Sequence, residues 1–380
     1  MFYREIPSSG EPLPALGMGC MRLPETPDGK VDEAAAVALI RAAIDGGATY
    51  IDTAWPYHDG ESERIVGLAL ADGYRERAFL ATKLPSWKVE SREDMDRYLD
   101  EQLRRLGTDH LDAYLVHALT RRRWNRLWDL EVDTFLDEAK ADGRIRYAGF
   151  SFHDDLSTFR TIVDAYAWDL CQVQYNYLDE HYQAGTEGIR YAAKKGLAVV
   201  VMEPLRGGLL GRRPPAEVEE IFAAAPVRRS PAEWGLRWVL DHSEVTTVLS
   251  GMGTTEELDE NLRVAATVRP GTLSPEEHRV VERVRKVYEA RLAVPCTGCH
   301  YCMPCPCKVN IPECFAQVNN AALYDDPAYA KFFYRSLLGE GGAASWCTEC
   351  GMCLSLCPQG IEIPAVLKKA VALFEDEMDR

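Results

Sequence analysis

At 380 residues, with 47% apolar and 27% charged side chains, the chain is globular in composition and long enough for more than one domain. Its net charge of −16 argues against nucleic acid, whose affinity comes largely from neutralising phosphates with Lys and Arg, and disfavours an acidic membrane face for the same reason. "MFYREIPSSG" has no secretory h-region, and the longest aliphatic run, "LAVVVM" (197–202), is far short of the ~20 residues that span a bilayer, so a soluble cytoplasmic protein is expected.

Short aliphatic or β-branched runs alternate with amphipathic helical patterns over the first 270 residues. Strands are predicted near 16–20, 48–52, 78–83, 111–117, 145–151, 170–175, 197–202 and 245–250. Helices are predicted near 32–46, 61–72, 91–106, 131–142, 156–167, 186–195, 231–241 and 255–267. Glycines at 46–47, 107, 143 and 196 fall where helices stop. Eight such units in roughly 250 residues suit a closed (β/α)8 TIM barrel, with a doubly wound open sheet as the alternative on alternation alone. Within the connections, "RRRWNRLWDL" (121–130) overhangs the expected mouth. It reads as a solvated loop held by two tryptophans, or else as arginine presented to an acidic substrate.

A barrel builds its site from residues just past each strand. Those positions carry Asp52 and Tyr57, Lys83, His117, Ser151, Gln172, Glu203, and Ser250 with Gly251. Singly, each has a structural reading: a strand-end Asp caps a helix, and a lone His is commonly a satisfied framework residue. Together the first four suggest proton chemistry. A Tyr phenol is a poor acid at neutral pH, a nearby Lys ammonium lowers its pKa, and an Asp paired to that Lys holds it in place. His117 can orient a carbonyl oxygen or relay its proton. "GMGCM" (17–21) and "GMG" (251–253) do not complete a dinucleotide fingerprint.

In order along the chain, "IDTAWPYHDGESERIVG", "LATKLP", "DAYLVHAL", "AGFSFH", "QVQYNYL" and "SGMGTTEELDEN" resemble the successive motifs of the aldo-keto reductase family over about residues 1–270. The resemblance implies a tetrad of Asp52, Tyr57, Lys83 and His117 with Tyr57 as general acid. It implies nicotinamide contacts at Ser151 and Gln172, with Met202 where an aromatic usually stacks. The pyrophosphate would meet backbone at Leu205, Arg206, Gly207 and Gly208. The adenosine end would meet Ser250, Gly251, Met252, Gly253, Thr254 and Asn261. Three departures stand out: Phe152 replaces the usual Asn, Met202 replaces the aromatic, and Gly251, Met252 and Glu257 replace cations for a 2′-phosphate. A carboxylate there would repel that phosphate, so NADH is expected over NADPH, although backbone amides can also bind phosphate. The altered platform also leaves room for a flavin.

The stretch 274–292, "SPEEHRVVERVRKVYEARL", predicts a helix. Ser274 caps it, Pro275 and Glu277 complete the start signal, and Val280, Val281, Val284, Val287 and Tyr288 form an apolar stripe. It is expected to lie against the barrel, with the domain boundary near 290: a barrel over 1–290 and a second domain over 291–380.

Cysteine use is lopsided. Two of the 12 cysteines, Cys20 and Cys171, precede residue 296, and ten follow by 357. This points to a metal-binding appendix rather than a secreted disulfide scaffold. Cys347, Cys350, Cys353 and Cys357, followed by Pro358, fit C-x2-C-x2-C-x3-C-P. Cys296, Cys299, Cys302 and Cys305, followed by Pro306, form a shortened version. In two-cluster ferredoxins the cysteine before proline ligates the other cluster. One [4Fe–4S] cluster is therefore assigned to Cys296, Cys299, Cys302 and Cys357, and a second to Cys347, Cys350, Cys353 and Cys305. Cys307 is the alternative to Cys305; otherwise Cys307 and Cys314 are free thiols. Structural zinc would leave the third cysteines and both C-P endings unexplained. The 41 residues between the groups contain helix-like stretches ("AYAKFFYRSLL"), so a small, mainly helical ferredoxin-like iron–sulfur domain is expected. Aldo-keto reductases with such a dicluster domain form a subgroup that "CTGCHYCMPCP" resembles.

Nicotinamide moves electrons in pairs and a cubane one at a time, so direct exchange calls for a splitter such as flavin. Three readings follow. The barrel reduces a small carbonyl with NAD(P)H beside structural or redox-sensing clusters; or a mediator links the clusters to a one-electron partner; or a non-catalytic barrel accompanies an electron carrier.

Overall fold

The structure, a computed structural model, describes residues 1–27, 29–296, 302–324, 326–340, 342–357 and 359–375, with backbone alone for 332, 333 and 336–340. Cys299 and Pro358 lie outside the described residues. The chain divides into two compact units, Met1–Arg212 with Arg229–His278, and residues 213–228 with the chain from 279 onward.

In the first unit a hairpin of β1 (Tyr3–Glu5) and β2 (Pro12–Pro14) precedes eight parallel strands. These are β3 (Leu16–Gly19), β4 (Tyr50–Asp52), β5 (Phe79–Leu84), β6 (Leu111–Leu119), β7 (Ile145–Phe152), β8 (Leu170–Gln174), β9 (Ala198–Met202) and β10 (Val245–Ser250). They pair in chain order, and β10 returns to β3 to close the barrel. Covered on both faces, the strands read as continuous apolar runs rather than alternating ones. Ile6 and Leu13 of the hairpin join Tyr50, Phe79, Leu115, Leu170 and Val200 in one buried cluster. The strands approach closely where side chains are missing: a Cβ on Gly149 would lie 2.8 Å from the Leu170 side chain and from its carbonyl oxygen.

The barrel helices are α1 (Glu33–Asp45), α2 (Ser62–Leu70), α3 (Arg92–Leu106), α4 (Arg121–Asp129), α5 (Val132–Ala141), α6 (Leu156–Ala165) and α7 (Gly185–Lys194). After α8 (Ala216–Ala223), which belongs to the other unit, come α9 (Pro231–Leu240) and α10 (Thr255–Thr267). Local chemistry sets their ends. Ser91 and Asp94 form a reciprocal capping box on α3, and Gly107 closes it in the left-handed conformation. Between them Met95, Leu99, Leu103 and Leu106 are buried along one face. The stretch 121–130 corrects the loop expectation. It is helix α4, capped by Thr120, with Trp124 and Leu127 buried and Trp128 exposed.

In the second unit, α11 (Pro275–Ala290) continues from the first and carries a buried Val280, Val281, Val284 and Tyr288. The capping box at its start is present: Ser274 N donates to Glu277 Oε2 at 2.7 Å, and Glu277 N to Ser274 Oγ at 3.3 Å. Then follow α12 (Ile311–Tyr324), α13 (Pro327–Glu340) and α14 (Ile363–Phe374). Phe315, Val318, Tyr334, Leu367 and Phe374 form their core, and Cys296, Cys302, Cys305, Cys307, Cys347, Cys353 and Cys357 pack partly buried against it. No described helix is long and apolar enough to cross a membrane.

Candidate functional site

The C-terminal ends of the strands gather Asp52, Tyr57, Lys83 and His117. Asp52 ends β4, Lys83 lies in β5 and His117 in β6, while Tyr57 opens a single tight turn over Tyr57–Gly60. That turn contains His58 and Asp59 at φ 50° and 55°, a strained conformation for side chains with a Cβ. Leu23 N donates to His58 Nε2 at 3.1 Å and pins it.

Lys83 Nζ donates to Asp52 Oδ1 at 2.6 Å and to the Thr53 carbonyl oxygen at 2.8 Å, and lies 3.5 Å from Tyr57 Oη. The rings of Tyr57 and His117 stand edge to face at 6.2 Å, and Trp87 packs 5.1 Å from His117 on the other side. Lys83 is 1% exposed and Asp52 2%. Burial therefore dominates the electrostatics. It pushes the Asp52 carboxyl up, against the pull of Lys83 and the neighbouring Gln172. It opposes the Lys83 ammonium, yet Asp52 and Tyr57 hold that ammonium above its ordinary value. Burial also lifts the Tyr57 phenol, and Lys83 lowers it as expected without overcoming burial, so the net shift is upward. His117 is driven well below its ordinary value by burial and then by Lys83, His153 and Arg123, leaving a neutral imidazole at neutral pH.

Around this group, Ser151 Oγ accepts from Ala118 N at 2.7 Å and so holds Ala118, a non-glycine residue at φ 50°, directly after His117. Gln172 Oε1 and His117 Nδ1 are buried with no partner among the described residues. Met202 is half-buried at the end of β9. Leu205, Arg206, Gly207 and Gly208 follow in a turn with φ of 48°, 68° and 87° at the last three. Past β10, Met252 is buried and can offer only its backbone. Asn261 Nδ2 donates to Ser250 Oγ at 2.9 Å, Thr254 caps α10, and Gly253 N donates to Glu257 Oε2 at 2.8 Å. Phe152 is fully buried, packed on Phe159 at 5.1 Å, and serves the core.

Arg22, three residues past β3, is a mouth residue that sequence reasoning missed. It stands in electrostatic reach of Glu203. Its Nη2 lies 3.1 Å from where a Cβ on Gly207 would sit, and its Cδ 3.2 Å from one on Gly251. It thus bridges the loops after β9 and β10. The usable signal was its position at a strand end, the rule that located the other mouth residues.

In the second unit, Cys305, Cys347, Cys350 and Cys353 line one cavity together with Cys302 and Cys307. Burial pushes the Cys353 thiol up, and the nearby Cys347, Cys305 and Cys350 add to it. Cys307 Sγ lies 3.1 Å from Thr348 Oγ1. A thiol-lined cavity fits a cluster, which takes four thiolates. Among the described residues no three His, Cys, Asp or Glu converge tightly enough to hold a single metal ion. Three cysteines stand apart from this chemistry: Cys20, Cys171 and Cys314 are buried, and burial raises each thiol, that of Cys314 to about 12.

Residues 15–285 match the model of the aldo/keto reductase family, and residues 295–362 that of the 4Fe-4S dicluster domain. The chain is 31% identical over 261 residues to methylglyoxal reductase YeaE of Escherichia coli (strain K12), covering 65% of this chain and 84% of that protein. It is 31% identical over 222 residues to aldo-keto reductase YhdN of Bacillus subtilis (strain 168), covering 55% and 64%. Among solved structures, the holo form of aldo-keto reductase AKR11C1 from Bacillus halodurans aligns with a TM-score of 0.63 at 28% identity, over 75% of this chain and 96% of that one. An aldo-keto reductase from Klebsiella pneumoniae in complex with NADPH aligns at 0.59 and 26% identity, with the same coverages.

Proposed function

Because the chain belongs to the aldo/keto reductase family and carries a 4Fe-4S domain, we propose that its barrel interconverts small carbonyl compounds and alcohols with a nicotinamide cofactor. We further propose that its appended unit holds two [4Fe–4S] clusters. The observation that carries the first part is Lys83 Nζ, 2.6 Å from Asp52 and 3.5 Å from Tyr57 Oη, beside a neutral His117.

A nicotinamide, when bound, supplies hydride to the carbonyl carbon. Tyr57 donates its phenolic proton to the carbonyl oxygen as that oxygen gains charge, which completes the alcohol. The phenolate left behind is held by the Lys83 ammonium, itself fixed by Asp52 and the Thr53 carbonyl. His117, neutral and lacking a partner at Nδ1 among the described residues, orients the oxygen. Gln172 and Ser151 would hold the nicotinamide amide, Leu205–Gly208 with Arg22 the pyrophosphate, and Ser250–Thr254 with Asn261 the adenosine end. The unpartnered Gln172 Oε1 supports that fit. The Glu257 carboxylate on Gly253 N supports NADH over NADPH, while the solved relative with NADPH supports nicotinamide in general.

Cys296, Cys299, Cys302 and Cys357 would hold one cluster, and Cys347, Cys350, Cys353 and Cys305 the other. When bound, each exchanges one electron at a time. A second reading, in which a flavin links clusters and barrel to a one-electron partner, is supported by Met202 and the buried Phe152, which leave no aromatic after β9 and no Asn after Ser151.

The test is anaerobic purification, release of the barrel cofactor by denaturation, and its spectrum, followed by aldehyde reduction with NADH and NADPH. The proposal expects no flavin band and a roughly 10²- to 10⁴-fold loss of reduction in Tyr57→Phe. Undiminished reduction by that variant would remove Tyr57 as the acid, and a released flavin would favour the second reading.

A further inference from the structure

Helix α4 begins two residues after β6, at the rim that carries His117. Trp124 and Leu127 face inward from it. Arg123 reaches back so that its Nη1 donates to the Ala118 carbonyl oxygen at 2.7 Å, and its guanidinium carbon sits 5.7 Å from the centre of the Trp87 ring. Trp87 in turn packs 5.1 Å from His117, which faces Tyr57. Arg126, one turn on, donates to the Ser86 carbonyl oxygen beside Trp87.

The surroundings of these arginines are unusual for this chain, which has 59 acidic and 43 basic residues. Elsewhere on the barrel, arginines such as Arg41, Arg64, Arg92, Arg144 and Arg146 are paired with carboxylates. Arg121, on the same helix, is tied to Ser157 and Thr158, with Asp155 at 3.8 Å. Among the described residues Arg123 and Arg126 make no ion pair, and their side-chain hydrogen bonds go to backbone carbonyls alone. Burial, and then the like charges of Arg126 and Arg122, hold the Arg123 guanidinium below its ordinary value. A guanidinium has five N–H donors in a planar fork that matches a carboxylate, and the Ala118 bond occupies one of them. The second observation is His117 Nδ1, buried and without a partner among the described residues, in the imidazole that Trp87 also neighbours.

Building on the carbonyl-reduction reading, we propose that the substrate is a carbonyl compound bearing a carboxylate, and that Arg123 receives that carboxylate while the carbonyl lies at Tyr57 and His117. Trp87 neighbours both Arg123, at 5.7 Å, and His117, at 5.1 Å, and so sets an upper limit on the spacing between them. The two groups of the substrate are a benzene ring or a short aliphatic chain apart, rather than adjacent as in a 2-oxo acid. A charge-assisted contact of this kind is worth about 10- to 100-fold in affinity.

The test compares 4-carboxybenzaldehyde with benzaldehyde as substrates of the holoenzyme, Arg123→Gln and Arg123→Lys. The ratio of kcat/KM for the carboxylated over the neutral aldehyde should fall about 10- to 100-fold in Arg123→Gln, chiefly through KM, and Arg123→Lys should keep part of it. An unchanged ratio in Arg123→Gln, including an equal fall for both aldehydes, overturns the proposal, since that is what a residue merely holding Ala118 would do. Benzoate titration followed by tryptophan fluorescence reads the same contact without turnover. Its Kd should weaken by the same factor in Arg123→Gln, and an unchanged Kd, or no binding to the native protein, also overturns it. Failure of the native enzyme to reduce either aldehyde would fell the carbonyl-reduction reading, and benzoate would then decide this one.

Discussion

Replacing Lys83 with Met should separate what the Asp52–Lys83 pair does for stability from what it does for chemistry. Both side chains are almost wholly buried, and Lys83 Nζ is 2.6 Å from Asp52 Oδ1. Methionine fills most of the lysine volume but leaves the carboxylate unpaired in the interior, a loss of about 3–5 kcal/mol. For a unit of about 260 residues this lowers the thermal midpoint by roughly 6–20 °C. The deficit should depend on pH with a definite sign. Without its cation the buried Asp52 has a folded-state pKa above the unfolded value near ~3.9, so the penalty is absent below that pH and grows as pH rises. The double variant Asp52→Asn, Lys83→Met removes both charges and should recover at least half of the lost stability while reduction stays abolished. The assay is anaerobic far-UV circular dichroism on heating, at several pH values, with aldehyde reduction on the same samples. A Lys83→Met midpoint within about 1 °C of native, or a double variant no more stable than the single one, would refute the reasoning.

The pH profile of kcat/KM for carbonyl reduction should lack an inflection near 6.5, because His117 is held neutral well below that value, and should show no loss on the alkaline side below the ordinary phenol value of about 10, because burial lifts the Tyr57 phenol. A clear break near 6.5 that disappears in His117→Gln would contradict the description of the site. Iron analysis should find about eight atoms per chain, falling to about four in Cys305→Ala and staying near eight in Cys307→Ala. The opposite pattern would hand the eighth ligand to Cys307.

Much of the barrel was legible because its strands are buried on both faces. "LAVVVM" and "TTVL" therefore stand out as unbroken aliphatic runs, and glycines such as Gly107 end the helices between them. Helix α4 was not legible: "RRRWNRLWD" offers two buried residues and four arginines, and its stability depends on where Trp124 and Leu127 pack. The direction of the Tyr57 shift was also missed. A sequence reveals the charge of Lys83 but not how deeply the phenol is buried. Arg22 escaped notice because Gly207 and Gly251 are distant in the chain and become its neighbours only through barrel closure.

The placement of the thiols partitions the molecule's vulnerability to oxygen. Cys20, Cys171 and Cys314 are sealed in and remain protonated, so they are inert toward peroxide or alkylating reagents. Cys350, by contrast, is exposed, and its cavity-lining companions are only partly shielded. Air would therefore corrode the appended unit first and leave the barrel's two thiols, Cys20 and Cys171, untouched.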